Sequence, residues 1–376
     1  MKIALVHYTY LPVVGGVELV MGAHAQILAG AGHEVTIVCR RGTSGDPRIR
    51  VDLLPVDREV APRVEAALAR QDVVIIHNVC TMPFDLEFTH ALWTSAEKLR
   101  RTRFICWLHD LAACRPEFVL PSNARLLTLA NPRFEYVVVS EHRQLQFRQR
   151  TAISARVIPN GVDVTNVLAL PAEVAAFVSR HRLLERDIIL LHPARLLARK
   201  RIDFSLRVAA ALKARNLSCA LLITAAADPH TVTAQAHTNE LRGLQEELGL
   251  NDVAFFVGDH FPVGARDLAA LYHLADALIF PSHEEGFGLP VLEAALHRLP
   301  IFCTDAPPLN AHLAHGLMLF SPEAGPAEVA EMIVRHISAD PPTQARKQTV
   351  RNYSWETINR KFLAPLLAET PSSNPP

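Results

Sequence analysis

Two glutamates flank a glycine turn in the stretch PSHEEGFGLPVLEA, residues 281–294. Glu285 precedes the Gly-Phe-Gly turn, and Glu293 lies eight residues further on, in a segment that reads as a helix started by Pro290. Glycines let the backbone approach a ligand closely, and free N–H groups at a helix start attract phosphates or hydroxyls. Carboxylates accept hydrogen bonds from hydroxyls. The stretch predicts a site for a ligand that carries hydroxyls and phosphates, with solvated surface glutamates as the alternative.

A pair of cations follows another apolar run, DIILL, in the second half of the chain. Arg195 follows this run by four residues, and Lys200 comes five residues later, at the start of a helical segment. Arginine can bond two phosphate oxygens at once and lysine adds a point charge, so the pair suits a diphosphate. A surface basic patch is the alternative. Arg199 and Arg201, which flank Lys200, are expected to face solvent.

Two weaker signals lie in the first half. Gly15-Gly16 joins the first strand to the first helix, but without the third glycine of a G-x-G-x-x-G motif, and a simple tight turn is the alternative. His109 ends the run FICWLH and could face a ligand, although a lone histidine is often structural, and His33 and His77 also lie near strand ends. No H-E-x-x-H, cysteine cluster, G-x-S-x-G or P-loop motif is present, so metal and nucleophile chemistry are not predicted.

The elements that must position these residues alternate along the chain. Short aliphatic runs, each a candidate buried strand, are separated by segments with helical periodicity, which is typical of parallel α/β sheets. The runs are KIALVH, EVTIVC, DVVIIH, RFICWLH and YVVVS, then DIILLHPA, CALLITA, VAFFVG, ALIFPS and LPIFCT. A segment rich in turn-forming residues, near 160–186, is the expected hinge between two such units. Parallel sheets bind ligands at the carboxyl ends of their strands, so a bipartite site is expected.

Length and composition narrow the function classes. The chain has 376 residues, enough for two domains, and equal numbers of basic and acidic residues (38 each), which argues against nucleic acid as a partner. Six scattered cysteines favour a reducing cytosol. No signal peptide or membrane span is evident, so a soluble cytoplasmic protein is expected. Peripheral contact with the inner membrane face is possible through the arginine-rich segments 99–103 and 141–150.

The combination of motifs resembles family 4 retaining glycosyltransferases of the GT-B type. E-G-F-G-x-P-x-x-E-A is the specific part, supported by R-x4-K, by P-N-G-V-D at residues 159–163 and by the terminal YSWETINRKFL. The resemblance covers nearly the whole length. It implies an α/β fold with two doubly wound, Rossmann-like domains facing across a cleft. We expect an acceptor-side domain over 1–165, a nucleotide-sugar-binding domain over 166–352, a helix over 353–369 that packs back on the first domain, and a disordered tail over 370–376.

The resemblance also implies a role for each candidate in the second half. Glu285 would hold hydroxyls of the transferred sugar and Glu293 the ribose of the nucleotide. Arg195 and Lys200 would grip the diphosphate. Backbone amides would meet sugar or phosphate near three residues: Phe287, Gly288 and Leu289. Base contacts would come from the region FFVGDHF, in which no residue is assigned.

In the first half, Gly16 would border the phosphate or the acceptor, and His109 would lie beside the reacting sugar. The reaction implied is transfer of a hexose from a UDP- or GDP-sugar to an acceptor hydroxyl with retained configuration. Because cations supply the positive charge, neither a metal nor a cofactor is expected. The acceptor could be a sugar, a lipid-linked molecule or another small molecule.

The chain departs from the family pattern at two places. Asp228-Pro229-His230 stands where many relatives have a glycine-rich turn, and Asn310 replaces a glutamate often found after the double proline. These departures bear on substrate more than on fold. Two other functions stay open: a GT-B nucleotide-sugar epimerase, and a non-catalytic nucleotide-sugar-binding or scaffold protein.

Overall fold

The computed structural model describes residues 1–54, 60–224, 232–313 and 315–369. The chain divides into two compact units, one formed by Met1–Val162 with the chain from Tyr353 on, the other by Asp163–Asn352. The predicted hinge near 160–186 is therefore mostly part of the second unit. Its punctuating residues begin helices: Asp163 caps one by accepting a hydrogen bond from the amide of Asn166, at 3.0 Å.

A parallel sheet forms the centre of the first unit. Its strands are β1 (Lys2–Val6), β2 (Glu34–Cys39), β3 (Ile49–Leu53), β4 (Val73–His77), β5 (Arg103–Leu108), β6 (Phe134–Val138) and β7 (Arg156–Val157). They lie in the order β3-β2-β1-β4-β5-β6-β7. The helices between them are α1 (Gly16–Gly30), α2 (Val60–Leu68), α3 (Leu86–Lys98) and α4 (Glu141–Thr151). The apolar cores lie on both faces of the sheet, which explains why β4 and β5 are buried along their whole length and are apolar except for His77 and Arg103.

The second unit repeats this architecture. Its strands are β8 (Ile188–His192), β9 (Cys219–Ile223), β10 (Ala254–Phe256), β11 (Ala277–Phe280), β12 (Ile301–Thr304) and β13 (Leu317–Phe320), in the order β10-β9-β8-β11-β12-β13. The larger helices are α5 (Val164–Val167), α6 (Ala172–Arg180), α7 (Ile202–Ala214), α8 (Val232–Glu247), α9 (Ala265–Leu274), α10 (Leu289–Leu296), α11 (Pro326–Ala339) and α12 (Pro341–Tyr353). All pairings in both sheets are parallel.

Each sheet reverses its strand order beside its first strand. In the first unit β1 lies between β2 and β4, and in the second unit β8 lies between β9 and β11. A crevice opens at the carboxyl ends of the strands where the order reverses, and ligands of doubly wound sheets bind there. The predicted cations follow β8, and Glu285 follows β11. The topology therefore brings both loops to one crevice.

The predicted fold class, α/β with two Rossmann-like sheets, is confirmed. Each of the runs predicted as strands contains a strand. The strands without a sequence signal are β3, β7 and β13, all at sheet edges. Edge strands are partly solvated, and β3 and β13 lack a continuous buried run. The arrangement of the two domains across a cleft stays a prediction.

The C-terminal segment packs on the first unit. It comprises α13 (Trp355–Ile358), a π-helical stretch (Asn359–Leu363) and α14 (Ala364–Ala368). Its buried side chains join the core beside β1 and β5: Ile358, Leu363, Leu366 and Leu367. The predicted tail, 370–376, lies outside the described residues.

Two motifs of the sequence meet where this segment begins. Gly161 of P-N-G-V-D lies against the indole of Trp355, and a Cβ on Gly161 would come within 2.4 Å of the ring. Next to it, the Val162 amide donates to the Tyr353 carbonyl at 2.6 Å, and the Trp355 amide donates to the Val162 carbonyl at 3.3 Å. Glycine at 161 therefore lets the end of the chain dock.

We expect Gly161→Ala to destabilise the first unit, because the added methyl group must displace a rigid indole. Overpacking of this kind costs about 1–3 kcal/mol. Thermal unfolding of the full chain measures the effect. Gly30→Ala is the matched control, since a Cβ there meets nothing within 4 Å; its melting temperature should not fall. Equal melting temperatures for Gly161→Ala and the wild type would contradict the tight docking.

Candidate active site

Lys200 and Glu285 contact each other directly, although they lie 85 residues apart in the sequence. Lys200 ends a short 3-10 turn after β8, and Glu285 lies in the loop after β11. The Lys200 ammonium donates to Glu285 Oε1, and the two side chains are only 11% and 6% exposed. The ammonium also lies 5.2 Å from the centre of the Phe280 ring, at the end of β11. These predicted site residues form a nearly buried ion pair.

Further contacts fasten the same two loops together. The His283 amide donates to the Arg199 carbonyl at 3.1 Å, and the Arg199 guanidinium donates to the Glu284 carbonyl at 2.9 Å. Arg199 also lies 3.8 Å from Glu285 Oε2, while the Arg201 guanidinium bonds the His283 ring. Arg199 and Arg201, which were expected to face solvent, keep 38% and 27% of their side chains exposed but are also held by these contacts. They are partly buried because the adjacent strands β8 and β11 bring their loops within reach of each other.

The backbone of Arg201 supports this arrangement. Its φ of 53° lies in the left-handed region, which non-glycine residues enter at a cost of about 1–2 kcal/mol. Besides His283, the side chain lies near the Asp203 carboxylate, at 3.4 Å, and over the Phe204 ring, at 5.3 Å. We attribute the tolerated strain to these contacts, which hold Arg201 at the start of α7.

Arg195, the other predicted diphosphate ligand, is placed differently from Lys200. Its side chain is exposed and has no hydrogen-bond or ion-pair partner among the described residues. Its backbone is fixed, since the Arg195 carbonyl accepts from the Leu197 amide at 2.8 Å. The structure does not bring Arg195 into contact with Lys200 or Glu285. Its guanidinium is therefore free to bind an external anion.

The glycine turn before α10 has the geometry that the sequence predicts. Gly288 has a φ of +86°, and a Cβ there would lie 2.5 Å from Leu309 Cδ2, so conformation and space both require glycine. The His312 ring donates through Nε2 to the Phe287 carbonyl and fixes the turn. The first amides of a helix have no intrahelical acceptor, and Leu289 begins α10. Phe287 and Leu289 are half exposed, at 53% and 58%.

Glu293 lies one turn inside α10 and has a partner that the sequence did not indicate. The hydroxyl of Tyr272, on α9, donates to Glu293 Oε2 at 2.8 Å. Burial, reinforced by the Glu293 carboxylate, raises the pKa of Tyr272 above its ordinary value. Tyr272 therefore stays protonated and donates. Its only sequence signal is a single hydroxyl in the stretch LAALYHL, which is apolar apart from Tyr272 and His273.

His109 belongs to a cluster of imidazoles in the first unit, at the carboxyl ends of β1, β4 and β5. Its Nε2 lies 3.4 Å from Nδ1 of His77, whose ring is 5.2 Å from that of His24. The His109 amide donates to Asn78 Oδ1 at 3.0 Å. Burial, helped by His7, lowers the pKa of His109 to about 3, so its imidazole is neutral near pH 7.

The Gly15-Gly16 turn is shaped by a residue that sequence reasoning missed. A Cβ on Gly15 would lie 2.3 Å from Glu18 Oε2, whereas Gly16 has open space around its Cα. The Glu18 carboxylate accepts from the Thr9 hydroxyl at 2.5 Å and lies 3.8 Å from His7 Nε2. Gly15, rather than Gly16, is thus the glycine that lies in close contact with another group, the Glu18 carboxylate. The start of α1 already holds the chain's own carboxylate.

The remaining predicted features carry less information. Asn310 is exposed, and its amide donates to Asp305 Oδ1 at 2.9 Å. Asp228-Pro229-His230 lies outside the described residues. In the predicted base-contact region, Asp259 pairs with Arg242 at 2.5 Å. Among the described residues, no group of three or more histidine, cysteine or acidic side chains is arranged to hold a metal ion.

The buried histidines make stability depend on pH. Burial lowers the pKa of His24, His109 and His192 from 6.5 to about 3, and both ring nitrogens of His24 lack a partner among the described residues. Below pH 6.5 these histidines bind protons in the unfolded chain but stay neutral in the folded chain. Each such group therefore stabilises fully above pH 6.5, and its contribution falls as pH drops toward 3, by up to about 1.4 kcal/mol per pH unit.

We expect the free energy of unfolding, measured by urea titration between pH 7.5 and 5, to decrease as pH falls. His24→Phe should flatten this dependence, since phenylalanine does not titrate. His90→Gln, at an exposed position, is the control and should keep the wild-type slope. A His24→Phe slope equal to that of the wild type would show that His24 is not held neutral by burial.

Comparison with known families gives a consistent result. The family model described as Glycosyltransferase Family 4 matches residues 14–166, and the one described as Glycosyl transferases group 1 matches residues 175–352. No helix among the described residues is both long and apolar enough to cross a membrane.

Several individual proteins are similar. D-inositol 3-phosphate glycosyltransferase of Saccharomonospora viridis is 34% identical over 116 residues, which cover 30% of this chain and 26% of that protein. The chain spans about a quarter to a third of the length of the enzymes of this name that it matches. Mannosylglucosylglycerate synthase of Thermotoga maritima is 22% identical over 350 residues, 80% of each chain. HepE of Anabaena, crystallised with UDP and glucose, is 19% identical, with a TM-score of 0.41 over 98% of this chain and 100% of that chain.

The two family matches divide close to the boundary between the two compact units and take in most of both. The chain therefore belongs to the group 1 glycosyl transferases, with a first unit of the Glycosyltransferase Family 4 type.

Proposed function

We propose that this protein is a retaining glycosyltransferase that moves a hexose from a UDP- or GDP-sugar to an acceptor hydroxyl without a metal or cofactor. The observation that carries the proposal is the direct contact between Lys200 and Glu285 at the strand-order reversal of the second sheet. A carboxylate suits sugar hydroxyls and an ammonium suits a phosphate. In a nucleotide sugar the sugar and the diphosphate are neighbours, joined by the bond that breaks.

The surroundings of the pair suit such a ligand. A bound diphosphate would accept hydrogen bonds from the Lys200 ammonium and so would compete with Glu285 for these hydrogen bonds. Arg199, 3.8 Å from Glu285 Oε2, would then still compensate the glutamate charge. Arg195 would add a second grip on the diphosphate, and the ribose would bond to Glu293. The amides near Phe287, Gly288 and Leu289 would meet sugar or phosphate.

In the proposed reaction these positive charges stabilise the leaving group. The bond between the anomeric carbon and the diphosphate oxygen breaks, and negative charge grows on that oxygen. Lys200, Arg195 and the start of α10 stabilise it, and preorganised donors of this kind contribute about 2.7–4 kcal/mol each. The acceptor oxygen bonds to the same face of the sugar, and its proton passes to the leaving phosphate oxygen. The products are a glycoside of retained configuration and a nucleoside diphosphate.

The first unit would serve the acceptor side. A neutral His109 can exchange hydrogen bonds with sugar hydroxyls without introducing charge. Gly16, with open space at its Cα, would border the phosphate or the acceptor. The similar proteins named as a D-inositol 3-phosphate glycosyltransferase and a mannosylglucosylglycerate synthase support transfer of a sugar to a hydroxyl.

The proposal extends to the protein's location. The six cysteines form no disulfide, although the Sγ atoms of Cys80 and Cys106 lie 2.6 Å apart, and five are buried, which suits a reducing cytoplasm. Helix α4 carries exposed arginines at 148 and 150 together with an exposed Leu145, and we propose it as the contact for a peripheral anionic membrane surface. A lipid-linked acceptor would be reached at such a surface.

The test begins with a donor screen. UDP-glucose, GDP-mannose and related nucleotide sugars are compared by thermal shift, and release of UDP or GDP is then measured with and without candidate acceptors. We expect one donor to stabilise the protein and nucleotide release to rise with an acceptor. If no nucleotide sugar binds, the transferase proposal fails. Binding without release would favour a non-catalytic protein, and a changed sugar with no acceptor would favour an epimerase.

Lys200→Ala should lower turnover at least tenfold, because the leaving diphosphate loses its nearest charge. This change also leaves Glu285 buried beside Arg199 alone, which costs up to about 3–5 kcal/mol of stability. Arg195→Ala therefore serves as a second variant, since the Arg195 side chain is exposed and turnover should fall with the melting temperature unchanged. Arg335→Ala, at a side chain 78% exposed on α11, is the control. Wild-type turnover in both Lys200→Ala and Arg195→Ala would refute the diphosphate grip.

A further inference from the structure

Tyr272 has one proton to donate and two acceptors nearby. Its ring is buried, with the residue 2% exposed, and its hydroxyl lies 2.8 Å from Glu293 Oε2 and 3.5 Å from the Pro290 carbonyl. The shorter contact is a charge-assisted hydrogen bond, whereas the longer is at the limit of hydrogen-bond length. The proton therefore goes to Glu293.

A second contact fixes the same tyrosine ring on the same helix. The imidazole of His297 stacks on Tyr272, with ring centres 5.1 Å apart and planes 6° apart. His297 follows Glu293 by one helical turn and caps α10, and His273 packs edge-on against it at 4.6 Å. Ring stacking and the hydroxyl bond together tie Tyr272 to one turn of α10, which leaves the phenol little freedom.

This arrangement determines what remains of Glu293 for a ligand. With Oε2 held by Tyr272, the plane of the carboxylate is set. Its other oxygen, Oε1, has no hydrogen-bond partner in the part of the chain that the structure describes. Phenylalanine would fill nearly the same volume at position 272, so packing alone does not call for the hydroxyl. Its only short acceptor is Glu293.

We propose that Tyr272 is a positioning residue, whose hydroxyl orients the Glu293 carboxylate so that Oε1 accepts a hydrogen bond from the ribose of the bound nucleotide. This inference rests on the proposed function, in which Glu293 holds the ribose. Tyr272 itself would not touch the ligand. Its effect should therefore pass entirely through Glu293, which is what separates a positioning role from a purely structural one.

The experiment is a double-mutant cycle on nucleotide binding. Affinities of UDP and GDP are measured by calorimetry for the wild type, Tyr272→Phe, Glu293→Gln and the double variant. For the nucleotide that binds, we expect Tyr272→Phe to raise Kd by three- to tenfold, as an order of magnitude. Glu293→Gln should raise it more, and the double variant should match Glu293→Gln. The 2′-deoxy or 3′-deoxy nucleotide that lacks the bonded hydroxyl should show little effect of either change.

Controls separate binding from folding. Tyr136→Phe removes another buried tyrosine hydroxyl, one that accepts from the Asn131 amide at 2.7 Å in the first unit, and should leave Kd unchanged. Melting temperatures of all variants are recorded, and Kd is measured well below them. Affinities of Tyr272→Phe are thus compared in folded protein only.

The possible failures differ. If Glu293→Gln weakens binding but Tyr272→Phe does not, or if the two effects simply add, the positioning inference is overturned and the ribose contact stands. If Glu293→Gln binds like the wild type, the ribose role in the proposed function is wrong, and the inference falls with it. Absence of UDP and GDP binding to the wild type would overturn both.

Discussion

The nearly buried ion pair of Lys200 and Glu285 constrains how the loops of the second unit are arranged. Moving an ammonium and a carboxylate out of water is costly, and their attraction repays that cost only with good geometry and further partners. Lys200 and Glu285 have such partners: Arg199 lies near the second carboxylate oxygen, and the Phe280 ring faces the ammonium. Because either charge alone would be unfavourable at this depth, the loops after β8 and β11 must be held together. The surrounding contacts of Arg199 and Arg201 do this.

The topology makes the ion pair possible. Three strands and their helices separate Lys200 from Glu285 along the chain, yet β8 and β11 are direct neighbours because the sheet order reverses at β8. Both loops leave carboxyl ends of parallel strands and so emerge on the same edge. The glycine turn adds the next step: Gly288 packs under Leu309, from the loop after β12, and directs α10 away from that edge with its first amides and Glu293 near its start. One edge of one sheet thus collects cations, acids and free amides.

Features that depend on a few consecutive residues could be predicted from the sequence, whereas contacts between distant segments could not. Buried strands were predictable because burial on both faces demands uninterrupted apolar residues, while β3 and β13, at edges, carry no such demand. The conformation of Gly288 was predictable because the signals of a turn and a helix start lie within a few residues, and the same local signals made Glu285 and Lys200 candidates. The contacts of Arg199 and Arg201 were missed, and so was the Tyr272 bond to Glu293. Each of these contacts joins two segments that are distant in the sequence. Strand order or helix packing brings the segments together, and the spacing of residues along the chain does not reveal it. Gly15 was overlooked beside Gly16 because only the folded position of Glu18 distinguishes them.

The two units place different electrostatics at the corresponding edges of their sheets. At the carboxyl ends of β1, β4 and β5 the first unit gathers His7, His77 and His109, whose pKa values burial lowers, so that these rings are neutral near pH 7, with the Glu18 carboxylate 3.8 Å from His7. At the ends of β8 and β11 the second unit gathers full charges that compensate one another. Neutral imidazole rings suit uncharged hydroxyls, since they can both donate and accept hydrogen bonds. Compensated charges suit a diphosphate, which can take over cations already held in place and so needs little reorganisation. The same fold, used twice, thereby carries different chemistry at corresponding edges, and the proposed function assigns hydroxyls to the first unit and the diphosphate to the second.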